Sequence, residues 1–183
     1  MTHDLSADRL RDSGIECPNI PGIEAIALLS EGIYSNFFRA VRSEDRRPVF
    51  LEVLKQRKPN PKQIERFLYE CEIVDKVDDP IAQRILDRST YEDYHYVILD
   101  GSDGQTLEQI FSTRDERQNR NISNLSSKLR LAIKIVDIIE SIHQADIIHK
   151  NLNPSTILWD RRKDTVSIMG FEIATELKTT LPW

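Results

Sequence analysis

Only two cysteines, Cys17 and Cys71, occur among the 183 residues. Two thiols so far apart make neither a disulfide scaffold nor a zinc ribbon, and a reducing compartment is the natural reading. Six glycines and eight prolines are also few, which excludes collagen-like and Pro/Gly-rich low-complexity chains. Positive charge is not in excess. Twenty-five Lys and Arg stand against 30 Asp and Glu, for a net charge of −5, whereas a general nucleic-acid binder normally shows a basic face. No apolar run approaches the roughly 20 residues of a membrane span. The N-terminus, Met1 to Asp8, is polar and acidic, so no signal peptide is expected. These absences predict a cytoplasmic protein with no membrane span and no nucleic-acid partner. What is present, 39% hydrophobic and 30% charged residues, suits a globular chain of one domain or one and a fraction, able to bury a core.

Residues 1–22 are polar and broken by Pro18 and Pro21, and predict a flexible N-terminal arm. Three short β-like runs follow: Ala25–Leu29, Phe37–Arg42 and Val49–Leu54, joined by turns as an antiparallel meander. Asn60-Pro61 is a helix start, a capping side chain before a proline at the first helical position. That helix carries Ile64, Phe67, Leu68, Cys71, Val74 and Val77 on one stripe, and Asp78-Asp79-Pro80 stops it. Strand candidates lie near Gln83–Leu86 and Tyr94–Leu99, and Gly101–Gly104 form a linker. A helical segment begins near Thr106. After a polar loop, 115–121, a helix from Asn124 to about Gln144 is apolar on most sides, which predicts burial in a larger body. Ile147-Ile148, Thr156–Leu158 and Val166–Met169 are short strands. The fold class expected is α+β, a sheet-rich first half joined to a helical second half.

In that order of elements, Ile148-His149-Lys150-Asn151-Leu152-Asn153-Pro154-Ser155-Thr156 resembles the H-R-D-L-x-x-x-N catalytic loop of protein kinases. Ser167-Ile168-Met169-Gly170-Phe171-Glu172 stands where D-F-G is found, and Val49-Phe50-Leu51-Glu52 where V-A-I-K is found. Glu70 falls where the glutamate of the family's helix C stands. Leu29–Phe37 resembles the glycine-rich loop. The chain from Ile23 to Thr175 thus resembles a protein kinase domain. The runs Val49–Pro59, Glu65–Ile73 and Ile147–Leu158 are similar to kinase domains that open large cyanobacterial serine/threonine–histidine hybrid sensor kinases. The resemblance implies an antiparallel β-sheet N-lobe with helix C over residues 23–100. A hinge and a truncated helical C-lobe over 101–183 would follow, the chain stopping just after the D-F-G-like segment.

The resemblance also implies which residues should do chemistry, and several differ in kind. Phosphoryl transfer relies on positioned charge. The strand lysine is Glu52, opposite the matched Glu70, and two carboxylates about 4 Å apart would repel by roughly 4 kcal/mol at an effective dielectric near 20. Lys55 is at an odd offset and points to the other face. The catalytic aspartate is Asn151, an amide that cannot take a proton as a carboxylate does. The two metal ligands are Thr156 and Gly170. Of the loop glycines only Gly32 remains, with Ser30 and Ser35 at the others, and Phe37 and Phe50 replace small residues beside the nucleotide. Gly32, Phe37, Phe50, Asp100 and Ser102 are then the vestigial nucleotide cleft. Val74, Leu86, His149 and Phe171 match positions that tie the family's two lobes together.

These replacements predict a pseudokinase: no catalysis, no metal, no cofactor beyond weak ATP binding, and a role as a binding or regulatory module. The protein partner would dock on the exposed partial C-lobe. A weak or unconventional ATP-dependent serine/threonine kinase and a non-functional fragment are the alternatives. His143 and His149 lack a third ligand and read as structural. Cys71 reads as core, and Asp160–Asp164 as a solvated hairpin turn.

Overall fold

A computed structural model describes residues 14–77, 82–112 and 125–177. The chain divides into two compact units, one holding the described residues up to Tyr69 together with Arg84–Asp103, the other Glu70–Gln83 and the residues from Gly104 on.

The first unit is a five-stranded antiparallel sheet in the order β1-β2-β3-β5-β4. Its strands are β1 (Ile23–Glu31), β2 (Ser35–Arg42), β3 (Pro48–Leu54), β4 (Ile85–Tyr91) and β5 (Tyr94–Asp100). The three apolar runs of the meander fall within β1, β2 and β3. In β2 and β3 every position is at least half-buried except Pro48, because both faces of these strands are covered. Alternate residues therefore serve two environments. Phe38, Ala40, Val49, Leu51, Val53 and Tyr96 form a core on one face, while Phe37, Phe50, Glu52, Val97 and Leu99 alternate with them.

What covers the first of these faces departs from expectation. Residues 1–13 lie outside the described residues, but 14–22 are no loose arm. Ile20 is 1% exposed and belongs to the core, and Ile15 and Cys17 pack against it. Three apolar side chains within six positions give this segment enough surface to dock, and Pro18 supplies a turn closed by the Ile20 N–H on the Pro18 carbonyl, 2.9 Å. Burial in this setting pushes the Cys17 thiol up to about 12, so it is an inert filler and not a nucleophile. Leu86 packs against this same cluster.

Strand β4 begins two residues later than the Gln83–Leu86 run suggests, and ends at Tyr91. Its exposed Asp87, Arg88, Ser89 and Thr90 give no apolar alternation, as suits an edge strand. Glu92 and Asp93, at φ 46° and 70°, make the tight turn into β5, a hairpin geometry normally signalled by Asn-Gly.

Helix α1 (Pro61–Val74) starts where the capping pair predicts. The Gln63 N–H donates to Asn60 Oδ1 at 3.0 Å and the Asn60 N–H to Gln63 Oε1 at 2.8 Å, a reciprocal cap. Its buried side chains are Phe67, Glu70, Cys71 and Ile73, with Val77 just beyond it. Leu68, expected on the stripe, is exposed. The Asp78-Asp79-Pro80 stop lies outside the described residues.

In the second unit, β6 (Gln105–Thr106), β8 (Ile157–Asp160) and β9 (Thr165–Ile168) form a small sheet in the order β6-β8-β9, and β7 (Ile147–Ile148) pairs with β10 (Thr175–Glu176). Helix α2 (Leu107–Ser112) is capped by Thr106, whose Oγ1 accepts the Gln109 N–H at 3.1 Å. The 115–121 loop and Asn124 lie outside the described residues. Helix α3 (Leu125–Gln144) packs against β7 and β9 and buries only Leu131, Ile138 and Ile142. Leu125, Leu129, Ile133 and Val136 are more than half exposed, against the burial its composition predicts. No described helix is long and apolar enough to cross a membrane.

Truncating Ile20 to Ala should cost about 2–4 kcal/mol in urea unfolding, against less than about 0.5 kcal/mol for Leu68→Ala. Equal costs for the two would show that the 14–22 segment is not docked.

Candidate functional site

The first group of candidate residues lies on β2, β3 and the end of β5. The register pairs Phe37 with Glu52 and Ser35 with Leu54, which makes Ser35 and Glu52 diagonal neighbours on one face. The Ser35 hydroxyl donates to Glu52 Oε1 at 2.6 Å. Both residues are buried, at 0% and 5% exposure. The sequence places Ser35 only at a glycine position of the loop, and its pairing with Glu52 comes from the β2–β3 register. The Gly32 N–H donates to the Ser35 carbonyl at 2.9 Å and closes the β1–β2 turn, whose tip residues Ile33 and Tyr34 are exposed. Lys55 pairs with Glu31 at 2.8 Å, away from Glu52's face, as its strand offset predicts.

Phe37 and Phe50 are almost fully buried. Asp100 receives Arg47 Nη2 at 2.9 and 3.0 Å. The Ser102 carbonyl receives Arg39 Nη1 at 2.5 Å. Between them, Gly101 runs so close to β3 that a Cβ there would lie 2.5 Å from the Val49 nitrogen, so only glycine fits.

The second group, in the other unit, is a self-contained loop from His149 to Thr156 beside residues 169–172. Glu70, also in this unit, is 4% exposed. His149 Nε2 donates to the Met169 carbonyl at 3.2 Å, and Nδ1 accepts the Asn151 N–H at 3.2 Å. Its ring stands edge-on to Phe171 with centroids 4.6 Å apart. Desolvation by burial lowers the His149 pKa to about 4, with the Met169 hydrogen bond opposing. The imidazole is therefore neutral at pH 7 and joins two backbone segments. His143, at the end of α3, is exposed.

Asn153 holds the loop together. Its Nδ2 donates to the Asn151 carbonyl at 3.0 Å and to Asn151 Oδ1 at 3.2 Å, while its Oδ1 accepts both the Ser155 N–H at 2.9 Å and the Ser155 hydroxyl at 2.6 Å. Thr156 Oγ1 accepts the Asn153 N–H at 3.1 Å and lies 3.0 Å from the Asn151 and Asn153 carbonyls. Gly170 has φ +78°, and a Cβ there would meet Thr156 Cγ2 at 3.2 Å. Glu172, 1% exposed, was not singled out from sequence. Asp160 closes the β8–β9 hairpin turn by accepting the Arg162 and Lys163 N–H groups at 3.0 and 3.1 Å.

Residues 23–182 match the family model described as the protein kinase domain. The chain belongs to the protein kinase domain family. It is similar to a probable serine/threonine-protein kinase of Clostridium perfringens, 24% identical over 86% of this chain and 22% of that protein. Against the serine/threonine-protein kinase PrkC of Bacillus subtilis it is 26% identical, over 73% of this chain and 20% of that protein. Against pkn3 of Myxococcus xanthus, also named a serine/threonine-protein kinase, it is 26% identical over 81% of this chain and 27% of that one. The chain spans about a fifth of the length of the first two relatives.

These matches overturn the expectation that the chain is no enzyme. That expectation treated each replaced charge as decisive, while the family and its relatives are phosphotransfer enzymes by name. A kinase domain implies ATP and a divalent metal in general. At the two positions that the resemblance matches to metal ligands, Gly170 offers no side chain and the Thr156 hydroxyl is engaged by the loop's own backbone, so these two residues do not fit a metal.

Gly170→Ala in this kinase domain should lower stability by about 1–2 kcal/mol through its left-handed backbone alone, and by more through the Thr156 methyl. Adding Thr156→Ser keeps the hydroxyl, removes that methyl and should restore part of the loss. A strictly additive double mutant would show that the two positions are not coupled. His149 gives a pH prediction. Its pKa is lowered on folding from 6.5 to about 4, so protonation favours the unfolded chain. Its contribution is complete above pH 6.5 and fades as pH falls towards 4, by a total on the order of 3 kcal/mol. Urea midpoints across that range should fall less steeply for His149→Gln, and an unchanged slope would exclude His149 as the cause.

Proposed function

We propose that this kinase domain performs serine/threonine phosphorylation in signalling, as an ATP-dependent phosphotransferase of unconventional arrangement. The observation that carries this reading is the family match across 23–182, together with relatives named serine/threonine-protein kinases. ATP supplies the transferred phosphoryl group. The chemistry asks the protein mainly for positioning and electrostatics, with little covalent work. Asn151 stands in the place of the catalytic aspartate. Asn153 Nδ2 donates to Asn151 Oδ1 at 3.2 Å, and the Asn151 amide N–H groups would orient a substrate hydroxyl by donating to its oxygen. An amide does not take up the hydroxyl proton, which leaves to solvent or phosphate oxygen, and the general-base part of the acceleration, typically 10²–10⁴-fold, is absent. Glu52, Glu70, Thr156 and Gly170 are proposed as the remaining family-equivalent positions, each with altered chemistry.

The similarity of Val49–Pro59, Glu65–Ile73 and Ile147–Leu158 to the domains that open hybrid sensor kinases supports a place at the input end of a longer signalling protein.

The test is transfer of labelled phosphate from ATP to a serine/threonine protein substrate, with magnesium or manganese. Slow incorporation is expected, lost in Asn151→Ala and raised on the order of 10²-fold in Asn151→Asp. No incorporation with either metal would overturn the activity.

A further inference from the structure

The wall formed by Phe37 and Phe50 carries a third side chain that the sequence did not single out. Arg39 lies two residues beyond Phe37 on the same face of β2 and pairs across the sheet with Phe50. Its guanidinium carbon is 5.6 Å from the centre of the Phe50 ring, and its Nη1 donates to the Ser102 carbonyl at 2.5 Å. A guanidinium in this place is flat, covers an aromatic face and offers an N–H to a backbone carbonyl. A heteroaromatic base lying on the same wall would make those same interactions.

We propose that Arg39 is an internal latch, a built-in competitor that takes the place of the nucleobase on the Phe37–Phe50 wall and sets the domain's affinity for adenine nucleotides. The inference rests on the kinase reading above and names the regulation of that same site. The carbonyl that Arg39 engages is fixed independently of it. Arg47 holds Asp100 through both carboxylate oxygens, and Gly101 lies tight against Val49. When Arg39 swings out, the Ser102 carbonyl stays in place as an acceptor for an incoming ring. The latch is not opened by pH, because arginine stays charged throughout the physiological range.

A binding-competent state populated a fraction of the time weakens the apparent affinity by that fraction. A cation–π contact and a charge-assisted hydrogen bond together are strong enough to keep the latch shut about nine-tenths of the time. Removing it should tighten binding about tenfold.

The test is isothermal titration of the full 183-residue chain with ATP and with adenosine. The proteins compared are the native chain, Arg39→Ala and Arg39→Lys, with Arg39→Met replacing the alanine variant if that one fails to unfold cooperatively. Arg39→Ala should bind both ligands about tenfold more tightly. Arg39→Lys should fall between, since an ammonium reaches the carbonyl without covering the ring. Unchanged affinity in Arg39→Ala, with phosphotransfer still measurable, overturns the latch and leaves the kinase reading standing. No nucleotide binding by any of the proteins overturns both.

Discussion

A carboxylate buried in the middle strand of a sheet is the constraint on which the first unit depends. Glu52 sits on β3 between β2 and β5 with 5% exposure. A carboxyl group so placed needs hydrogen-bond partners, because burying it without any costs several kcal/mol. Ser35 is one such partner at 2.6 Å, because the β2–β3 register sets residues 35 and 52 diagonally on one face. That contact sets a hydroxyl at the start of β2. The contact depends on the register, since a one-residue slip would carry Ser35 to the opposite face and take its hydroxyl away from Glu52. The aromatic wall of Phe37 and Phe50, and Arg39 upon it, follow from the same parity.

The second unit has its own organising set, a loop that closes on itself. Asn153 and Thr156 satisfy their hydrogen bonds within residues 151–156, and Gly170 allows the neighbouring segment to approach the Thr156 methyl. Thr156 and Gly170 are thus two halves of one packing solution. A larger residue at 170 would need both a different backbone conformation and a smaller neighbour. His149 binds the two segments through Met169 and the Asn151 N–H, and can do so only while it is neutral.

Much of this was legible in the sequence where one pattern answers to one environment. The runs in β2 and β3, the Asn60-Pro61 cap and the order of loop motifs all have local causes, and the structure places them with small shifts. Legibility failed where partners are distant or where one side is uncovered. Ile15, Cys17 and Ile20 sit among polar residues and become a docked segment only because the sheet offers them an apolar face. Leu68 and the row Leu125, Leu129, Ile133 and Val136 are apolar by composition but exposed, because helix periodicity tells which residues share a face, not whether anything covers it. Ser35 and Arg39 were hidden for a different reason. A serine or an arginine on a strand has no sequence signature for its cross-strand partner, and only the register supplies one.

The replaced residues and the family match answer different questions, and weighing them together decides what each can claim. A side chain that is absent removes a finite factor from a rate. Losing a general base is worth about 10²–10⁴-fold, or about 3–5 kcal/mol of barrier. Enzymes of this kind draw on accelerations far larger than that, most of it from holding two reactants in place. On the proposed reading, Asn in place of Asp at position 151 lowers the rate by that finite factor and leaves catalysis by positioning in force, provided the loop remains preorganised. The hydrogen bonds of Asn153, Thr156 and His149 hold that loop in one arrangement. The replaced side chains thus bear on the speed of the proposed reaction, while the family match bears on the family alone.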